Sequence, residues 1–298
     1  MTRNDQILLI LIFFYSIIFS FYCAVDTSSL DFSRLLHRFE LNDNLPDWGA
    51  YPLLDALIFV GNTLMLSARY FYWIIIFIVL FTSMFVIKNF VGQKSFFLFV
   101  IMFSTLIPPS DFVHLLKQNL SVLFFLIALL TMKRISRLVA FLCAVGMHLY
   151  IVLFAFLLWF RRSAFLLKNS TVITVFMIFT AFSFSQFQTI QAAFNIIQSF
   201  GVPLLSARVH EYRVDRWGDI NTTKISMLAI CVCTLYIYGK SKIKNTLVHL
   251  IVIYCSVGLM FASLFTGFDI LVYRFLVYIK IPAIIGLSLV LRPTAWRF

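Results

Sequence analysis

Apolar stretches long enough to cross a lipid bilayer recur along this chain, and acidic residues are almost absent from them. A transmembrane helix needs about 20 predominantly apolar residues. Spans are expected near 6–25, 70–87, 96–108, 112–131, 171–185, 225–239, 246–266 and 271–291. A content of 62% hydrophobic and 12% charged residues excludes an ordinary soluble globular domain. The expected class is an all-α polytopic membrane protein of about 8 transmembrane helices, in a single integral membrane domain over 1–298. The first span follows Met1-Thr2-Arg3-Asn4-Asp5, and Tyr22-Cys23-Ala24 makes a poor signal-peptidase site, so it reads as a retained signal anchor.

The net charge of +12 would suggest nucleic acid in a soluble protein. Here the preference of cytoplasmic loops for Lys and Arg is a sufficient account, and no nucleic-acid partner is expected. With the N-terminus in the cytoplasm, the loops at Lys88 and Lys94 and at Lys133, Arg134 and Arg137 fall inside. If 138–160 then spans, Arg161, Arg162, Lys168, Lys240, Lys242, Lys244, Arg292 and Arg297 all fall outside. A re-entrant helical hairpin at 138–160, breaking at Gly146-Met147-His148, returns them to the cytoplasm. Residues 26–69, 108–111, 186–224 and 267–270 then become external, and every acidic residue except Asp5 lies in those regions. The competing repair fuses 96–131 into one broken span and leaves Lys133, Arg134 and Arg137 outside. Non-helical backbone at membrane depth must be buried in protein or line a wet cavity, which puts His148 at the tip of a cavity.

Ionisable residues inside apolar segments are costly and usually face a cavity or one another. His114, Lys117, Gln118 and Ser121 follow i, i+3, i+4, i+7 and share one face of an expected helix, with Asp111 one turn further out. That face is either a ligand-facing surface or a polar seam between helices, and Lys117 lies close enough to the outer end to snorkel. The last span opens with Asp269, Tyr273 and Arg274, followed one turn on by Tyr278. Arg274 is a permanently charged fork inside an apolar run, and the plain alternative is an Asp269–Arg274 pair. The stretch 207–219 interleaves Arg208, His210, Arg213 and Arg216 with Glu211, Asp215, Asp219, Tyr212 and Trp217. Arginine forks suit phosphate and aromatic faces suit sugar rings, although such a loop can also neutralise itself in solvent. Asp47 and Trp48 precede an apolar run at 51–66 that is broken by Asp55, Gly61 and Asn62 and reads as an interfacial or partly inserted helix. They are placed to touch a polar substrate or to cap that helix. The five cysteines and five histidines lack ligand spacing, so no metal is expected. No phosphate-binding glycine loop, His-Glu-x-x-His or Gly-x-Ser-x-Gly is present.

Three segments in order carry a resemblance: Asp47-Trp48-Gly49-Ala50-Tyr51, Lys117-Gln118-Asn119-Leu120-Ser121, and Ala144-Val145-Gly146-Met147-His148. Together they resemble the O-antigen polymerases of the Wzy type and the related EpsG-type exopolysaccharide proteins. That family tends to show an acidic-aromatic external stretch, an Arg-Gln pair opening a helix and a His further on. Here the pair is Lys117-Gln118, which keeps the charge and loses the bidentate fork. The resemblance implies a GT-C-like membrane glycosyltransferase in a bacterial inner membrane. It would polymerise repeat units carried on undecaprenyl diphosphate, without metal or cofactor, beside a flippase and a chain-length regulator. His148 and Arg274 would be catalytic. Asp47, Lys117, Gln118, Arg208, Arg213, Arg216 and Asp269 would bind substrate. Two other classes stay open on the residues alone: a flippase or other transporter of lipid-linked sugars, and a membrane acyltransferase acting on polysaccharide.

Overall fold

The computed structural model describes residues 3–26, 29–41, 51–160, 246–264 and 269–291, together with 174, 230, 232–234 and 236–237. These residues form helices and no strand. Among them, three helices are long and apolar enough to cross a membrane: Asn4–Val25, Ala68–Val91 and Val272–Val290. Several shorter apolar helices accompany them. The expected spans at 171–185 and 225–239 lie largely outside the described residues. The chain forms two compact units, Met1–Leu158 and Trp159–Phe298.

In the first unit, α1 (Arg3–Val25) packs along α4 (Ala68–Val91). Asp5 meets Lys88 at 2.7 Å, which fixes the pair antiparallel. The N-terminal end of α1 therefore lies beside the C-terminal end of α4. Gly92, at φ 78°, ends α4 in a conformation that only glycine adopts without strain, and α5 (Gln93–Leu106) follows. At the other end, Ser67 caps α4 by accepting the Tyr70 amide. Lipid supplies no hydrophobic drive between helices, so packing has to hold the bundle. Aromatic rings supply much of it: Phe19 of α1 meets Phe103 of α5 at 5.6 Å and Phe112 at 5.5 Å. Such pairs contribute about 0.5–1.5 kcal/mol each beyond their buried area.

The polar stretch 26–50, expected as an external loop, contains a helix, α2 (Leu30–Leu41). Ser29 caps it by accepting the Phe32 amide, and Phe32, Leu35 and Phe39 form its buried face. That face lies against α4, where Phe39 and Phe71 approach to 4.8 Å. The apolar run at 51–66 is a short helix, α3 (Pro52–Thr63), opened by a proline at its first position. Its Asp55 is fully buried and meets Arg38 of α2 at 2.6 Å.

The segment expected as one span over 112–131 is two helices, α6 (Pro109–His114) and α7 (Leu116–Leu130), broken at Leu115 (φ −123°, ψ 50°). Asn119 heals the break by donating its side-chain amide to the Phe112 carbonyl at 2.8 Å. The break takes Asp111 and His114 off the helix that carries Lys117, Gln118 and Ser121. The expected continuous polar face is therefore divided.

α7 then forms an antiparallel hairpin with α8 (Arg134–Met147). Arg137 donates to the Thr131 and Met132 carbonyls, satisfying acceptors that the end of α7 leaves open. α8 stops at His148, whose backbone is extended (φ −160°, ψ 117°), and a 3₁₀ turn over Leu149–Phe154 leads into α9 (Ala155–Phe160). The chain reverses there. Phe125 of α7 contacts Phe141 before the break at 6.3 Å and Phe154 after it at 6.4 Å. A straight continuation would have carried Phe154 far beyond Phe125.

In the second unit, α10 (Thr246–Leu264) pairs with α11 (Asp269–Val290). Gly258 sits directly against Ile279, so a side chain there would force the helices apart. Ile237, Val248 and Val252 form a buried cluster in this unit.

Candidate functional site

The break at His148 and the start of α7 lie at the same end of the α7–α8 hairpin. Ser121 Oγ donates to the Ala144 carbonyl at 2.8 Å, which sets the register of the two helices. That register brings His148 level with the first turn of α7, where Lys117 stands. α3 approaches from the side, and Tyr51 at its N-cap position enters between them. The Lys117 ammonium lies 4.0 Å from the centre of the Tyr51 ring, well inside cation–π range. The imidazole of His148 lies 5.6 Å from the same ring, at an interplanar angle of 32°. A second ring, Tyr150, meets His148 edge-on at 5.2 Å.

Gly146 makes this approach possible, although not in the way the sequence suggested. It was expected to supply a turn, and it is instead helical within α8. Its lack of a side chain lets α3 come close: a Cβ there would stand 2.6 Å from Leu53 Cβ. The turn itself falls on His148. The His148 amide completes α8 by donating to the Ala144 carbonyl, and its own carbonyl accepts from the Ile151 amide. Both backbone groups of His148 itself are thus hydrogen-bonded within the chain.

Burial grades across the cluster. His148 is 3% exposed, Lys117 and Tyr51 are half-buried, and Tyr150 is exposed. Gln118 is buried on α7 beside Lys117. An ammonium, an imidazole and phenol rings at one end of a helical hairpin can bind an oxyanion, exchange a proton and stack on a sugar. The Arg38–Asp55 pair ties α2 to α3 and so steadies the helix that presents Tyr51.

Arg274 is half-buried on α11 in the second unit, one turn before the buried Tyr278. Asp269 opens α11, and its side chain lies outside the described residues. Asp47, Arg208, Arg213 and Arg216 also lie outside them. The residues that the structure brings together are therefore Lys117 and His148, with Gln118 adjacent in the chain. Tyr51 and Tyr150 were not singled out from the sequence. Tyr51 closes the Asp47–Tyr51 motif, and its place just before Pro52 at a helix start was the available signal. No family model, curated protein or solved structure matches the chain.

Proposed function

We propose that this chain polymerises oligosaccharide repeats carried on undecaprenyl diphosphate, as the Wzy-type and EpsG-type resemblance implies. One observation carries the reading. The three segments behind the resemblance are separated in sequence, and the Lys117–Tyr51–His148 contact joins one residue from each. The reaction transfers a chain from its lipid diphosphate to a hydroxyl of an incoming lipid-linked repeat. A new glycosidic bond forms, the sugar–phosphate bond breaks, and the diphosphate lipid leaves with the electron pair. Lys117 stabilises the charge developing on the leaving diphosphate. His148 takes the proton of the acceptor hydroxyl. Tyr51 and Tyr150 cover the imidazole, so an acceptor sugar reaches it by displacing or stacking on a tyrosine ring. Gln118 orients the diphosphate by hydrogen bonding. In the same reading Asp47, Arg208, Arg213, Arg216 and Asp269 bind substrate, and Arg274 is catalytic, gripping a phosphate or a sugar carboxylate.

The reversal of the chain at His148 supports reading 138–160 as a re-entrant hairpin within a bundle of about 8 spans of GT-C-like character. The protein then lies in a bacterial inner membrane with the site facing the periplasm. A flippase and a chain-length regulator are its functional neighbours. Host cells lacking the gene should carry surface polysaccharide capped at a single repeat, with the ladder of lengths restored by complementation. An unchanged ladder in the deletion strain would exclude the polymerase reading.

A further inference from the structure

A cavity of about 340 Å³ lies between the C-terminal end of α1 and the N-terminal end of α4. It is lined by Phe21 and Val25 of α1 and by Ser67, Arg69, Tyr70 and Trp73 at the start of α4. Its walls are aromatic and apolar, Arg69 is the cation among them, and no acid lines it among the described residues. Arg69 and Trp73 stand one helical turn apart and share a face of α4. The first turn of α4 adds the positive end of a 24-residue helix dipole. The charge at this cavity is therefore positive, which calls for a ligand with anionic acceptor oxygens.

The surface leading to the cavity defines the rest of that ligand. Phe14, Ile18, Phe21 and Val25 follow i, i+4, i+7 and i+11 along one face of α1. They are exposed by 56%, 55%, 54% and 42%. An uninterrupted apolar stripe thus runs down a membrane-length helix from the cavity where Arg69 and Trp73 lie. A free phosphate ion would use the cavity and leave the stripe bare. A bilayer lipid uses both.

We infer that this cavity binds the anionic phosphodiester headgroup of a membrane phospholipid. The Arg69 fork takes the phosphate oxygens. Tyr70 stacks at the headgroup level, and one acyl chain follows the Phe14–Val25 stripe. This lipid is a structural partner of α1 and α4, independent of any reaction at His148.

The test uses the full chain in detergent micelles and native mass spectrometry, titrated with phosphatidylglycerol, phosphatidylcholine or water-soluble glycerol phosphate. Wild-type protein should retain phosphatidylglycerol in preference to phosphatidylcholine and should not retain glycerol phosphate. Arg69→Gln should weaken phosphatidylglycerol binding about tenfold, the scale of one charge-assisted hydrogen-bonded contact. Circular dichroism and gel filtration identify variants that have kept the fold. Equal phosphatidylglycerol affinity in folded Arg69→Gln would overturn the proposal. So would equal retention of phosphatidylcholine. Equal retention of glycerol phosphate would reassign the cavity to a free phosphate ion.

Discussion

Replacing Gly146 by alanine tests whether the close approach of α3 to α8 assembles the site. The added Cβ would stand 2.6 Å from Leu53 Cβ and 3.4 Å from the Leu53 backbone nitrogen. Non-bonded carbons rest at about 3.5–4.0 Å, so α3 has to retreat by about 1 Å. Leu53 cannot swing away, because the clash is with its Cβ and not with the far end of the side chain. Helix propensity favours alanine by about 0.5–1 kcal/mol, while overpacking costs about 1–3 kcal/mol. The net effect expected is a loss of about 0–2.5 kcal/mol, from the difference of those two ranges. Function should suffer more than stability. Tyr51 begins α3 two residues before Leu53 and moves with it, away from Lys117 and His148. A displacement of about 1 Å can lower a rate about a hundredfold. Thermal unfolding in detergent reads the first effect and polymer yield at matched protein level reads the second. Adding Leu53→Gly removes the clashing Cβ and should restore polymer yield in part. Gly146→Ala with wild-type stability and wild-type polymer would refute the idea that this contact positions Tyr51.

Other perturbations separate the roles of neighbouring groups. Arg38→Met removes the cation that meets the fully buried Asp55 and should cost about 3–5 kcal/mol. Asp55→Ala leaves Arg38, which is 31% exposed, able to rehydrate and should cost less in the same unfolding assay. The reverse order would contradict the buried-charge argument. His148→Gln keeps hydrogen bonding and loses titration; a base at this position expects no polymer from it at normal protein level, whereas full polymer would confine His148 to structure. Arg274→Lys keeps charge and loses the fork, and should shorten or abolish polymer as Arg274→Ala does. Normal length and amount in both would refute a role for Arg274 in the reaction.

Much of this architecture was readable because lipid imposes simple rules on sequence. The helices at 3–25, 68–91, 246–264 and 269–291 follow from apolar length, and the interruption at 146–148 follows from a His and a Gly inside an apolar run. Helix α2 is hidden because half of its residues are polar, which breaks the apolar run. Its Phe32, Leu35 and Phe39 spacing was the legible trace. The break at Leu115 was not visible, since no Pro or Gly marks it and the healing bond from Asn119 is a tertiary fact. Tyr51 was missed for a related reason. A tyrosine near a membrane boundary looks like an ordinary anchor until the chain folds Lys117 over its ring. Gly146 was noticed for the wrong property: its backbone freedom is unused, and its missing side chain is what α3 requires.

The most direct measurement is a reconstitution. Purified protein in lipid nanodiscs is supplied with the host's undecaprenyl-diphosphate-linked repeat, and products are resolved by size while released undecaprenyl diphosphate is counted. The expected result is a ladder at whole multiples of the repeat, with one diphosphate lipid freed for each new linkage. Lys117→Met and His148→Ala should abolish both signals in protein that retains its fold. A wild-type protein that yields neither ladder nor released lipid would contradict the polymerase assignment. A ladder undiminished by either substitution would contradict the placement of the site at Lys117, Tyr51 and His148.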